Sequence, residues 1–329
     1  MMNMRILPLI GLVLCLSGCS GVRFIIDAVP AVDGLTETVV LEDPGAGSSA
    51  KIALIQITGV IADADRRGLI TKGENPVARF VESLHKAAKD PKIKAIVLRI
   101  NSPGGTVTAS DIVYREIQHF RETSKKPVVV LMSDVAASGG YYIACAADEI
   151  IAHPTTITGS IGVIIQTFNF SEGMRRIGIN ADAITSGPNK AAGSPFEPMP
   201  PEHRALLQGL VDEFYANFVA IVTDSRPNLS IADLEWITDG RVVTGKRAAE
   251  VGLIDSTGDL RDAFAAAKKR ANLTAAKLVK YHRPLEYVGS AYARSPATNP
   301  QINMLQLNVD AGPLFDQSGF YYLWDAAAW

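Results

Sequence analysis

From Lys51 onward, apolar runs alternate with segments of helical period. Residues 52–61 read Ile-Ala-Leu-Ile-Gln-Ile-Thr-Gly-Val-Ile, the length and content of a buried strand. Residues 76–89 carry Val77, Phe80, Val81 and Leu84 at helical spacing. Residues 93–100 form a second strand candidate, running into Asn101-Ser-Pro-Gly-Gly105. Residues 108–123 place Ile112, Val113, Ile117 and Phe120 on one helical side. A third strand candidate is 127–132, a small-residue buried helix 138–147, and a fourth strand 149–152. The strands are apolar throughout rather than alternating, so both of their faces are expected to be covered. Together with the β–α alternation, this predicts an α/β fold with a mostly parallel sheet flanked by helices. Residues 202–224 predict a long amphipathic helix through Leu206, Leu207, Leu210, Phe214, Phe218 and Val222. Shorter helices are predicted at 245–251 and 258–272. After about residue 285 the pattern degrades, and the chain ends in an aromatic stretch from Phe320 to Trp329.

The N-terminus reads differently. Arg5 precedes an apolar run from Ile6 to Leu16. That run is shorter than the roughly 20 residues needed to span a bilayer, and it has the layout of an export signal. The ending Leu16-Ser-Gly-Cys19 resembles a bacterial lipobox, which predicts acylation of Cys19 and cleavage just before it. Acyl chains would then hold the protein on membrane lipid. Ser20 after the cysteine leans toward outer-membrane sorting in enteric-type systems. The expected organisation is a lipoprotein signal peptide (1–18), a tether (19–50), a folded domain that carries the chemistry (51–275) and a C-terminal extension (276–329). The tether assignment follows from Asp43-Pro-Gly-Ala-Gly-Ser-Ser-Ala50, a loop-forming stretch.

Composition narrows the function. The chain has 329 residues, a formal net charge of −2 and only three cysteines, Cys15, Cys19 and Cys145. No basic face is implied, so nucleic acid is not an expected partner. With Cys19 acylated, Cys145 has no disulfide partner, and the cysteine spacing fits no zinc site. No metal or cofactor is called for.

The candidate chemistry centres on Ser133-Asp-Val-Ala-Ala-Ser-Gly-Gly-Tyr-Tyr142. Ser138 is expected at a strand-to-helix turn, where free helical N–H groups favour developing negative charge. Gly139 would let a substrate approach the backbone closely. The same residues could equally form a serine N-cap with a tight glycine pair. A nucleophilic serine needs a base. Among the five histidines only His153 follows a strand, and Pro154 suggests a turn there instead. Lys190 is the only charged residue between Ala183 and Phe196. An amine set among small and apolar groups without a carboxylate could lose solvation and titrate low, as a lysine base requires, or it could equally be an ordinary solvated loop lysine. Ser160, in Thr158-Gly-Ser-Ile-Gly162, could hold that amine in line, or belong to a structural turn. Asn101-Ser-Pro-Gly-Gly105 could complete an oxyanion hole or merely turn the chain.

Taken together, five ordered motifs resemble the signal peptide peptidase A (protease IV) family of Ser–Lys peptidases. They are Leu98–Gly105, Ala136–Tyr142, Thr158–Val163, Ser186–Lys190 and Gly240–Lys246, the last followed by Gly252-Leu-Ile-Asp255. The resemblance covers about residues 51–270. It implies a Clp-protease/crotonase-like fold, with Ser138 as nucleophile, Lys190 as general base and Ser160 orienting the lysine. It gives the N–H groups of Gly139 and Gly105 as the oxyanion hole. It further implies peptide substrates such as signal-peptide remnants, and a ring-shaped homo-oligomer with the octamer as one candidate size. The lipobox at Cys19 departs from the transmembrane anchor more usual in the family. The expected location is the periplasmic or other extracytoplasmic face of a bacterial membrane. Two other readings use the same residues: a lipid-anchored scaffold that binds unfolded chains without cutting them, and a crotonase-type acyl-CoA enzyme.

Overall fold

The computed structural model describes residues 34–44, 50–64, 74–284, 286, 288–293 and 319–324. The signal segment and Cys19 lie outside the described residues.

Strand β1 (Thr36–Glu42) and strand β2 (Lys51–Thr58) are followed by helix α1 (Pro76–Lys89). Asn75 caps α1 by accepting from the N–H groups of Val77 and Ala78, and Pro76 sits where its missing N–H costs nothing. Strands β3 (Ile93–Ser102) and β4 (Gly104–Thr106) lead into α2 (Val107–Ser124), then β5 (Val128–Ala137) and the short α3 (Gly139–Ala144). Next come β6 (Glu149–Ala152), β7 (Ile157–Gly159), α4 (Ser171–Arg176), α5 (Pro201–Ser225) and α6 (Ile231–Ile237). The chain continues through β8 (Val242–Thr244), α7 (Gly245–Glu250), β9 (Ser256–Thr257), α8 (Leu260–Arg270), β10 (Lys277–His282) and β11 (Tyr321–Leu323).

The main sheet runs β1-β10-β2-β3-β5-β6-β9, parallel from β10 to β9, with β1 antiparallel at one edge. Alternate residues of the central strands feed two cores. Ile55, Ile57, Leu98, Ile100, Val130 and Met132 face the layer of α1, α2, α3 and α5. Ile52, Leu54, Val97, Val129 and Leu131 face α8 through Leu260, Ala263, Phe264 and Ala267. Continuous apolar strands with two covered faces are what the sequence pattern predicts.

Strand β5 changes partner along its length. Val129–Met132 pair with β6, and Val135–Ala137 pair with β7. β7 in turn pairs with β8, antiparallel. A second, two-stranded sheet joins β4 to β11, also antiparallel.

Both expected domain boundaries move outward. Residues 36–42 of the predicted tether are a strand of the sheet, and 277–282 of the predicted extension lie between β1 and β2. Thr36-Glu-Thr-Val-Val-Leu-Glu42 is too polar to read as a core strand because it is an edge strand, needing one partner rather than two. Asp43 pins this joint: both its carboxylate oxygens accept from Lys268 Nζ at 2.8 Å, and one accepts from the Ala276 N–H at 3.0 Å.

Helix α5 is long and apolar enough to cross a membrane by length and composition. Near its C-terminal end it buries Phe218 and Val222 in the core, while its first three turns stay exposed or half-buried.

The Lys268 hydrogen bond holds the Asp43 carboxyl below its ordinary value of 3.8. Its stabilisation is therefore fully present above pH 3.8 and lost as pH falls through the lower, folded-state value. Asp43→Asn should cost about 1 kcal/mol at neutral pH and flatten part of the acid limb of stability. Urea melts at pH 7 and pH 3 check both.

Candidate functional site

The parallel ladder of β5 and β7 ends with Ala137 opposite Gly159. One residue further on, Ser138 and Ser160 stand side by side at the ends of their strands. The Ser138 N–H donates to the Gly159 carbonyl at 2.8 Å, and the Ser160 N–H to the Arg241 carbonyl at 2.7 Å. Both serines take positive φ, 52° for Ser138 and 51° for Ser160. Ser138 combines this with ψ −116°, outside the left-handed helical well, so its backbone is strained.

The strain turns the chain directly into α3. The Ser138 carbonyl accepts from the Tyr142 N–H at 2.9 Å, starting the helix. Gly139 is the first helical residue, so its N–H has no intrahelical acceptor. Ser138 is 1 % exposed, and its Oγ has no hydrogen-bond partner among the described residues. A buried hydroxyl left unpaired at a strained turn costs stability, and such features mark functional sites.

Glycine is required around this turn for want of space. A Cβ on Gly104 (φ 108°) would overlap the Tyr322 carbonyl and stand 2.8 Å from the Gly139 nitrogen. A Cβ on Gly139 would lie 2.5 Å from Ser110 Oγ. The predicted glycine pairs thus bring two backbone segments together beside Ser138. Ser102 Oγ braces this corner by accepting from the Gly104 N–H at 3.1 Å.

Gly105 is placed differently from Gly139. Its neighbours bond to Ile61: the Ile61 N–H donates to the Gly104 carbonyl, and the Thr106 N–H to the Ile61 carbonyl. Gly105 therefore points its own N–H and C=O at β11, opposite Tyr322.

Lys190 is exposed, in a turn where its own N–H donates to the Gly187 carbonyl. With Ser138 Oγ unpartnered, Lys190 is not within hydrogen-bond reach of it in this chain. A stretch free of carboxylates is not the same as a desolvated one, and within a single chain Lys190 remains in water. His153 occupies the turn after β6, and its carbonyl is covered by Gly245. The Cys145 thiol is buried, which pushes its pKa up to about 11. Among the described residues, no group of three or more His, Cys, Asp or Glu side chains could hold a metal ion.

The segment around Lys190 is an arm that bonds mainly to itself. The Phe170 N–H reaches the Pro195 carbonyl at 2.7 Å, Asn169 Nδ2 the Glu197 carbonyl at 2.6 Å, and the Ala183 N–H the Glu197 carboxylate at 2.5 Å. Yet Phe168, Phe170, Ile177, Ile179, Ile184 and Phe196 all face solvent, Ile184 completely. So many large apolar groups on one arm form the kind of surface that another protein surface covers.

Two parts of the site escape the sequence pattern. Ser110 is fully buried with an unpartnered hydroxyl, though it reads as an ordinary helix residue. Tyr322 comes from the far end of the chain, and only its aromatic neighbours hinted at a role.

A family model described as Peptidase family S49 matches residues 120–274. A serine protease SPPA of Arabidopsis thaliana chloroplasts is 39 % identical over 243 residues, 72 % of this chain and 35 % of that protein. A protein of Enterococcus faecium named as a signal peptide peptidase SppA is 33 % identical over 234 residues, 71 % of this chain and 67 % of that one. The match thus spans about a third of the plant protein and two thirds of the bacterial one. A solved 1510-N membrane-bound stomatin-specific protease, holding a substrate peptide, is 21 % identical at a TM-score of 0.40. It covers 64 % of this chain and 77 % of its own.

The strain at Ser138 is testable without any activity. Ser138→Gly should be more stable than Ser138→Ala by about 1 kcal/mol, because only glycine adopts this backbone freely. Equal denaturation midpoints would show that the turn is unstrained.

Proposed function

The chain belongs to peptidase family S49, and from that membership we propose a membrane-anchored serine endopeptidase with Ser138 as nucleophile and Lys190 as general base. The observation that carries this reading is the buried, unpartnered Ser138 hydroxyl on a strained turn at the first N–H groups of a helix. Its substrates are signal-peptide remnants and other apolar or unfolded peptides. Cys19 holds the protein to lipid on the extracytoplasmic face.

Lys190 reaches the nucleophile from a neighbouring copy. Docking the apolar arm on a second chain in a ring-shaped homo-oligomer buries its exposed Phe and Ile side chains. The same contact strips water from the Lys190 amine, which favours the neutral base. Ser160, one strand over from Ser138, orients that amine.

In the reaction, neutral Lys190 takes the Ser138 proton as Oγ attacks the peptide carbonyl. The Gly139 N–H, and that of Gly105 once it is free of β11, hold the oxyanion. The charged lysine then returns its proton to the leaving amine. Water, deprotonated by the lysine, hydrolyses the acyl-enzyme and restores Ser138. Losing one oxyanion donor costs roughly 10²–10³ in turnover.

The test is mass spectrometry of the full-length chain after a peptide-like acylating inhibitor. One adduct on Ser138 is expected in wild type, with none in Ser138→Ala and little in Lys190→Ala. Mixing the two inactive variants should restore part of the turnover, since Ser138 of one copy meets Lys190 of the other. Absence of labelling in the assembled wild type would leave a peptide-binding scaffold. An unrestored mixture would put both residues in one chain.

A further inference from the structure

Serine and threonine hydroxyls on a helix commonly turn back to the carbonyl four residues earlier. This protein follows the habit. Ser83 donates to the Arg79 carbonyl at 2.8 Å, and Thr223 to the Val219 carbonyl at 2.9 Å. In α2, Thr123 and Ser124 donate to the His119 and Phe120 carbonyls, both at 2.7 Å. Ser110, in the first turn of the same helix, does not. It is fully buried, and its Oγ has no hydrogen-bond partner among the described residues. A buried hydroxyl without a partner costs stability, so its orientation calls for a cause.

The surroundings supply one. A Cβ built on Gly139 would meet Ser110 Oγ at 2.5 Å, nearer than the Tyr322 carbonyl oxygen at 3.1 Å or the Gly104 Cα at 3.2 Å. Unlike Gly104, Gly139 does not take a positive φ. Its lack of a side chain is therefore demanded by space, and Ser110 Oγ is the nearest atom occupying that space. The first turn of α2 is also fixed in place. Thr106 Oγ1 caps it by accepting from the Ala109 N–H at 3.3 Å. Beside Ser110, Asp111 Oδ1 accepts from the Tyr142 hydroxyl of α3 at 2.9 Å. Two helices are thus clamped together where the Ser110 hydroxyl meets Gly139.

We propose that Ser110 is a positioning residue for the oxyanion donor: its hydroxyl stands where a side chain of Gly139 would be and keeps the Gly139 N–H aimed at the reacting carbonyl. Glycine has more ways to turn than any other residue, and an oxyanion donor must be held in place before the reaction starts. An oxygen atom reaching over from α2 supplies that constraint and leaves position 139 without a side chain of its own. The unpaired hydroxyl of Ser110 is what the brace costs the fold. This inference rests on the peptidase reading, and its test separates the two.

The experiment follows acylation of Ser138 by a peptide-like inhibitor in the full-length, assembled protein. In Ser110→Ala the limiting rate should fall by about tenfold to a hundredfold, while the inhibitor concentration giving half that rate stays unchanged. The denaturation midpoint should equal that of wild type or rise, because removing an unpaired buried hydroxyl outweighs leaving a void of one oxygen atom. A serine that merely supports the fold would lower the midpoint and the rate together, and that result would overturn the proposal. A double-mutant cycle adds a measurement that does not depend on activity. Gly139→Ala alone should lower the midpoint through overlap with Ser110 Oγ, and in the Ser110→Ala background it should lower it by less than half as much. A wild-type rate in Ser110→Ala, or additive shifts in the cycle, would overturn the proposal and leave the peptidase reading intact. Failure of wild type itself to acylate at Ser138 would sink the peptidase reading, and the proposal with it.

Discussion

The site depends on one strand changing its partner. β5 pairs with β6 over its first half and with β7 over its second. Parallel strands of one sheet normally end together, with their helices returning over the faces. Here the switch carries the last residues of β5 past the end of β6 and onto β7. Ser138 then leaves the ladder beside Ser160, with its N–H held by Gly159. The strained φ of Ser138 persists because that hydrogen bond and the start of α3 determine it from both sides. Without β7 the serine would be a surface residue on a loop.

The core of the fold was legible because its signal is local. Runs such as Ile93–Ile100 and Pro127–Met132 announce their burial locally; the observed β3 contains the first, and β5 contains the second from Val128 on. What stayed hidden depends on distant pairing. β1 meets β10 across some 240 residues, and β4 meets β11 across more than 200. Short or polar strands such as Gly104–Thr106 have no apolar pattern of their own, since their partners supply the packing. The site was legible in the same proportion. Ser138, Gly139 and Ser160 sit in turns whose small residues announce close approach. Lys190 was read from its local composition, and composition reports neighbours in sequence rather than exposure to water.

The apolar arm leaves its Phe and Ile side chains outward, while the tail strand β11 adds to β4 and bridges Ile164. In the single chain Ser138 is strained and buried, and its hydroxyl has no hydrogen-bond partner among the described residues.

Strand β1 has a consequence for the behaviour of the chain in concentrated solution. Its bulge between Val39 and Leu41 turns Val40 and Leu41 toward the same core, and Glu37 and Glu42 pair with Lys51 and Lys277 along its flanks. A kinked, charged border makes a poor template for another chain to add to. Stripped of β1, the sheet would end in β10, whose backbone N–H and C=O groups along Lys277–His282 would be left without partners on that side. The seven residues of β1 thus act as a selvedge for the sheet, covering the backbone edge of β10 with a strand that is itself a poor template.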